Sequence, residues 1–179
     1  MTDYRRLYIP GATYFFTVVT EGRHPLLVSP AAIDRLRESF RYALECRPFR
    51  FDAVVILPDH LHAIWTLPTG DDNFSERWRL VKYRFSHRSP PTDVTRRSLA
   101  EKREKGLWQR RFWEHCIRDD ADFGRHLDYL HYNPVKHGLA GRAADWPYSS
   151  FPRFVALDVY PMDWGCPAGV PAIAGDGGE

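Results

Sequence analysis

The order of strand and helix signals predicts an α+β fold, a split β-α-β sandwich whose antiparallel sheet has helices packed on one face. Three observations predict it. Apolar residues recur with period two in some runs and three to four in others, in the order strand, helix, strand, strand, helix, strand. The two central runs lie in FDAVVILPDHLHAIWTLP (51–68) and meet at Pro58-Asp59, a turn signal that makes them a hairpin. A length of 179 residues with 15% aromatic content suits one domain with a sizeable core rather than a disordered chain.

The first strand is expected over 13–20 (TYFFTVVT), rich in aromatic and β-branched side chains. Ser29-Pro30 supplies an N-cap and a first-turn proline for a helix over 31–46. Its apolar stripe is Ile33, Leu36, Phe40 and Leu44, and Pro48 ends it. The hairpin strands follow over 49–58 and 60–67. After the turn TGDD, a second helix over 73–87 repeats Phe74, Trp78, Val81 and Phe85 at helical spacing. Trp65 and Trp78 sit in apolar patterns and read as core.

The segment SPPTDVTRRSLAEKREKG (89–106) reads as a flexible basic loop, and WQRRFWEHCIR (108–118) as the next strand. Asp119-Asp120 caps a third helix over 121–132 with a Phe123, Leu127, Leu130 stripe, and Pro134 closes or kinks it. Residues 145–151 and 160–164 are aromatic but aperiodic, an irregular C-terminal arm. Residues 1–165 thus form one domain, and 166–179, rich in Gly, Pro and Ala, a flexible tail.

Net charge is only +2, but it is unevenly spread. Between Arg77 and Arg118 stand 13 Lys/Arg against 4 Asp/Glu, while the rest of the chain is net acidic. Such a block is what a phosphate-rich partner requires, although a solvated face can look the same. Arg77, Lys82, Arg84, Arg110 and Arg111 are the leading candidates for DNA contact, with Arg5 and Arg6 next. Cys46, Cys116 and Cys166 are odd in number and widely spaced, which indicates neither a disulfide framework nor a zinc knuckle. No apolar leader or membrane-length run is present, which predicts a soluble protein of a reducing compartment.

Two stretches carry chemistry. His60-Leu61-His62 puts two imidazoles on one face of a strand, where both can reach one metal ion, though two polar residues at a hairpin end would look alike. In HLDYLHYNP (126–134), Tyr129 and Asn133 are one helical turn apart and share a face, provided the helix survives to Pro134. A surface tyrosine followed by an asparagine cap is the structural alternative. Tyr132 is the rival tyrosine on another face. His126 lies one turn from Tyr129 and could assist it, whereas His131 and His137 read as phosphate contacts or solvated side chains. His115, beside Trp113 and Ile117, reads as a satisfied, half-buried histidine.

The combination of a His-hydrophobic-His strand with a later helix bearing a single tyrosine resembles the HUH endonucleases, and among them the single-tyrosine transposases. YRRLYIPGATYFFTV from Tyr4, WQRRFWEHCIRD from Trp108, HLDYLHYNPVKHGL from His126 and DWPYSSF from Asp145 sharpen the match. Together they resemble the REP-associated tyrosine transposases over residues 3 to 164.

The resemblance implies a ferredoxin-like sandwich with an extra helix carrying the tyrosine. It implies Tyr129 as nucleophile and His60, His62 and Asn133 as metal ligands. The ion would be Mg²⁺ or Mn²⁺, of which imidazole suits Mn²⁺ better. The implied activity is metal-dependent cleavage and strand transfer of single-stranded or hairpin DNA at palindromic REP-like repeats, through a 5′-phosphotyrosine link. A cytoplasmic protein of the bacterial nucleoid is expected, monomer favoured over dimer. The alternative is a non-catalytic, sequence-specific DNA-binding regulator on the same fold.

Overall fold

The computed structural model describes residues 6–90 and 106–165. Arg5, most of the expected basic loop, Cys166 and the expected tail lie outside these residues. Strands β1 (Thr13–Val19), β2 (Arg50–Ile56), β3 (His60–Thr66) and β4 (Trp113–Cys116) form one sheet in the order β2-β3-β1-β4. All three pairings are antiparallel. Helix α1 (Pro30–Cys46) joins β1 to β2, and α2 (Phe74–Arg88) lies between β3 and β4. This is the predicted split β-α-β sandwich.

Alternation along the strands sends side chains to two cores. Tyr14, Phe16, Val18, Leu61, Ala63 and Trp65 face α1 and α2. There Trp65 stacks on Trp78 of α2 with ring centroids 4.2 Å apart, so both tryptophans are core as expected. Phe15, Val55 and Ile64 face the other way, onto α3 (Asp120–Lys136) and the C-terminal arm. The helix bearing the candidate tyrosine is therefore an addition that covers the second face of the sheet.

Ser29 and Asn73 cap α1 and α2 by accepting from Ala32 and Glu76 N–H groups, and Asp119 caps α3 by accepting from Asp122 N–H at 2.7 Å. Three expectations need correction. The strand expected over 108–118 is paired only at Trp113–Cys116, preceded by an isolated bridge between Trp108 and Thr20. The reason is packing: Trp108 meets Phe85, and Phe112 meets Phe16 and Trp78, so the approach to β4 bends to feed both rings into the first core. Pro134 does not close α3, which runs two residues further. Gly138, at φ +67°, ends it in the left-handed conformation, its N–H donating to Val135 O. The arm is not wholly irregular, since Phe151–Ala156 forms a short helix, α4, packed through Phe151 and Phe154 into the second core.

Candidate active site

Strand β3 is an interior strand, and His60 and His62 stand on its α3 face with only 4% and 0% of their surface exposed. Their ring centroids are 5.1 Å apart. Each ring is anchored through Nδ1. That of His60 donates to Asp59 Oδ1 at 2.6 Å, and that of His62 meets Thr17 Oγ1, from the neighbouring strand, at 2.9 Å. The Asp59 carboxylate can only accept, which fixes the tautomer of His60, and the two Nδ1 contacts orient both rings, with the His62 ring against Asn133 of α3. Burial first, then the neighbouring His60, pushes His62 well below its usual pKa and keeps it neutral, the form that binds metal. Burial works against ionisation of Asp59, but the bonds from His60 and Arg23 prevail and hold its carboxyl below the usual range.

Because α3 stays helical through Asn133, the one-turn spacing brings Tyr129 and Asn133 over these histidines together. The half-buried Tyr129 ring lies 5.2 Å from that of His62 and 5.9 Å from that of Phe15. Asn133 is fully buried and donates Nδ2 to Tyr129 O at 3.2 Å, with its amide beside the His62 ring. His62 Nε2 and Asn133 Oδ1 are both buried and make no well-formed hydrogen bond, although the two side chains lie against each other. Leaving such an atom poorly paired costs about 1–3 kcal/mol, so the pair is suited to receive a shared ion. An imidazole nitrogen and an amide oxygen, with the second imidazole alongside, fit a divalent ion that completes its shell with oxygen from water or phosphate. All four leading site residues thus converge.

The sequence missed four neighbours of this centre. Asp59 and Thr17 orient the imidazoles, and Asp59 had been visible only as half of a turn signal. Lys136 places its ammonium 5.2 Å from the Tyr129 ring centroid, and the exposed His137 ring lies 5.2 Å from that of His60. They follow Tyr129 by seven and eight residues, two helical turns, a spacing hidden by the expectation that Pro134 closes or kinks the helix. Tyr132 points elsewhere, against Trp164 of the arm. His131 is not a phosphate contact. It is fully buried, bonded through Nε2 to Ser150 Oγ at 2.9 Å, and burial takes its pKa down to about 3. His115 is half-buried and satisfied by Asp122, as expected. His126 donates Nδ1 to Asp122 O and touches Phe15 rather than the phenol side of the site.

The expected DNA-contacting set separates. Arg77, expected at the surface, is 1% exposed, and it is a structural residue. Its guanidinium grips Asp71 with both terminal nitrogens, at 3.0 and 2.9 Å, and donates also to Asn73 O and Pro48 O, tying the start of α2 to the preceding loops. Lys82 donates to Gln109 O at 2.8 Å, and burial lowers its pKa to about 8. Arg84 stacks over Tyr42, and Arg6 lies over Phe112 while pairing with Glu114. These four are on the face of the sheet away from Tyr129. Arg110 and Arg111 are exposed on the approach to edge strand β4. On the tyrosine side Arg118, Arg125 and Lys136 are exposed.

No family model matches the chain. A REP-associated tyrosine transposase of Escherichia coli strain K12 is 44% identical over 164 residues, spanning 92% of this chain and 91% of that protein. A Haemophilus influenzae protein provisionally given the same name is 45% identical over 166 residues, spanning 92% and 94%. The solved structure of a REP-associated tyrosine transposase bound to a REP hairpin is 42% identical, covers 97% of this chain with 96% of its own, and superposes with a TM-score of 0.78. Among the described residues no helix is long and apolar enough to cross a membrane.

Proposed function

The chain belongs to the REP-associated tyrosine transposases, and on that premise we propose that it cuts and rejoins single-stranded DNA at hairpin-forming repeats, with Tyr129 as nucleophile and a divalent ion held by His60, His62 and Asn133. One observation carries the reading: a half-buried tyrosine ring stands 5.2 Å from a fully buried imidazole that has a second imidazole on one side and an amide on the other. When bound, Mg²⁺ or Mn²⁺ would supply charge neutralisation at the scissile phosphate and polarise its phosphorus. Asp59 and Thr17 hold the two imidazoles ready to receive it, and Asn133 offers its amide oxygen while its Nδ2 is tied to the helix backbone.

The phenol of Tyr129 attacks phosphorus in line. Its Oη forms a new P–O bond as the P–O3′ bond breaks, and the phenolic proton ends on the departing 3′ oxygen. The product is a 5′-phosphotyrosine and a free 3′-OH, so the step exchanges one phosphodiester for another and runs backward as readily. A phenol is a weak nucleophile near neutral pH, and the Lys136 ammonium lies over the Tyr129 ring, 5.2 Å from its centroid. Arg118, Arg125 and Lys136 form the cationic rim that meets the DNA backbone. The partner is a single-stranded or hairpin DNA of palindromic repeat type.

The test is formation of a covalent adduct between the full chain and a labelled single-stranded REP-like hairpin in Mn²⁺. Tyr129→Phe abolishes the adduct and leaves hairpin binding intact, while Tyr132→Phe keeps it. An adduct that survives Tyr129→Phe refutes the nucleophile. Hairpin binding with no adduct in any divalent ion supports the non-catalytic regulator instead.

A further inference from the structure

We infer that the chain carries a second divalent-metal site, formed by His115, Asp122 and His126, that clamps the tyrosine helix to edge strand β4 and takes Zn²⁺ or an ion of similar ligand preference. The three side chains offer ligand atoms that all lie within 4.8 Å of one another. His115 Nε2 is 2.8 Å from Asp122 Oδ2, and His126 Nδ1 is 3.3 Å from Asp122 Oδ1. Ligands of a tetrahedral zinc ion, bound at about 2.0–2.1 Å, stand about 3.3 Å apart, so side-chain shifts of up to roughly 1.5 Å open the cluster to an ion. Two imidazoles and one carboxylate form a recognised donor set for Zn²⁺, with a fourth position left for water.

The surroundings fit a ligand cluster better than a chance ion pair. The two imidazole rings are stacked nearly parallel, 16° apart with centroids at 4.4 Å, an arrangement that two charged rings would oppose and two neutral ones accept. Asp122 is 1% exposed, at the bottom of the cluster. It also accepts from Arg118 N–H and from the side chains of Arg118 and Arg125, whose contacts are 3.1–3.2 Å long. Those two side chains are 70% and 60% exposed, free to swing into water when a dication replaces their charge. His126 now turns an Nδ1–H toward Asp122 O. Moving that proton to Nε2 leaves a lone pair at the same place with no change in charge, and His115 switches tautomer in the same way.

Position gives the site its purpose. His115 belongs to β4, a strand of four residues at the sheet edge, and Asp122 and His126 to the first two turns of α3. An ion here crosslinks the two elements one helical turn before Tyr129. Phe15 stands between the centres, its ring 5.0 Å from His126 and 5.3 Å from His62, so the two sites are separate.

The experiment removes the first site to see the second. Full-length protein carrying His60→Ala and His62→Ala is stripped with chelator and titrated with Co²⁺, then Zn²⁺. It binds one equivalent of Co²⁺, with the intense visible absorption of a four-coordinate ion, and Zn²⁺ displaces it. Adding His115→Ala or His126→Ala lowers affinity at least about 100-fold and abolishes the band, while His115→Cys restores it with a new thiolate-to-cobalt band in the near ultraviolet. Circular dichroism confirms that each variant is folded, and the paired histidine variants guard against one of them failing. No bound Co²⁺ in the His60/His62 variant, or binding indifferent to both His115→Ala and His126→Ala, overturns the proposal.

Discussion

Thr17→Val isolates the part that positioning plays in the proposed metal centre. The change keeps shape and β-branching on a strand where Thr17 is paired on both sides, to His62 and to Trp113, so β1 itself is not disturbed. What is lost is one hydroxyl, 2.9 Å from His62 Nδ1 in a place where His62 has no exposed surface. The orphaned ring nitrogen costs about 1–3 kcal/mol, which for a domain of this size lowers Tm by roughly 2–4 °C per kcal/mol. The ring escapes that cost only by turning, and turning moves Nε2 off its line toward Asn133. Loss of such a supporting bond weakens metal affinity about 10–100-fold, close to the free energy of the bond itself. The assay is adduct yield on a hairpin against Mn²⁺ concentration. The half-saturating Mn²⁺ rises 10–100-fold and the yield recovers at saturation, in contrast to Tyr129→Phe, which is dead at every concentration. An unmoved Mn²⁺ midpoint alongside a lowered Tm would refute the idea that Thr17 aims the imidazole.

Two further predictions follow from residues that proved buried. Arg77→Met breaks a paired guanidinium in the interior, with an expected cost of about 3 kcal/mol and a fall of roughly 6–12 °C in Tm, but hairpin affinity measured below the transition is unchanged; weaker binding with an unmoved Tm sinks this. His131, with a folded pKa of about 3 against an ordinary value of 6.5, binds its proton more readily when unfolded. Its contribution to stability is therefore present above pH 6.5 and drains away as pH falls toward 3, about 2 kcal/mol being lost by pH 5. His62, shifted the same way, adds to the slope. Urea midpoints at pH 7 and pH 5 should differ less in His131→Gln than in the unaltered chain, and equal slopes would contradict the assignment.

Much of this was legible in the sequence, and the exceptions share a cause. Strand and helix periods placed β1, α1, the hairpin and α2 because each has one apolar face and a local stop signal. That His60, His62, Tyr129 and Asn133 come together was legible because a two-residue spacing on a strand and a four-residue spacing on a helix each put side chains on one face. The edge strand was overestimated because Trp108 and Phe112 look like strand residues yet serve the core from a bent approach. Arg77 and His131 were misplaced because a polar side chain on a helix flank reads as exposed unless its buried partners, Asp71 in one case and Ser150 in the other, are already known to be near. Lys136 was hidden by Pro134, and His137, read as a phosphate contact or solvated side chain, was not placed beside His60 for the same reason. Periodicity reports what a segment prefers, whereas these residues owe their roles to segments far away in the chain.

The helix that carries Tyr129 is held at three levels, and this bears on how a reversible strand exchange can be controlled. Near its start, Asp122 gathers His115 from β4 and the N–H of Arg118. At its middle, His131 bonds Ser150, whose hydroxyl also engages Val54 of β2 through both N–H and C=O. Tyr160 donates to Asp128 at 2.6 Å from the arm. Near its end, Asn133 seats beside His62. In the proposed exchange a phosphotyrosine would be no more stable than the bond it replaces, so Tyr129 would have to stay within reach of the released 3′-OH or of an incoming one. A nucleophile on a flexible loop would lose much of the proximity advantage that makes attack effectively unimolecular. Fixing the helix to both the edge strand and β2, with the arm as the outer support, keeps the phenol where either direction of the exchange can use it. On the proposed mechanism the C-terminal arm belongs to the frame that holds Tyr129 in place, since a segment with so little secondary structure spends its aromatic side chains, Phe151, Phe154, Tyr160 and Trp164, on the back of α3.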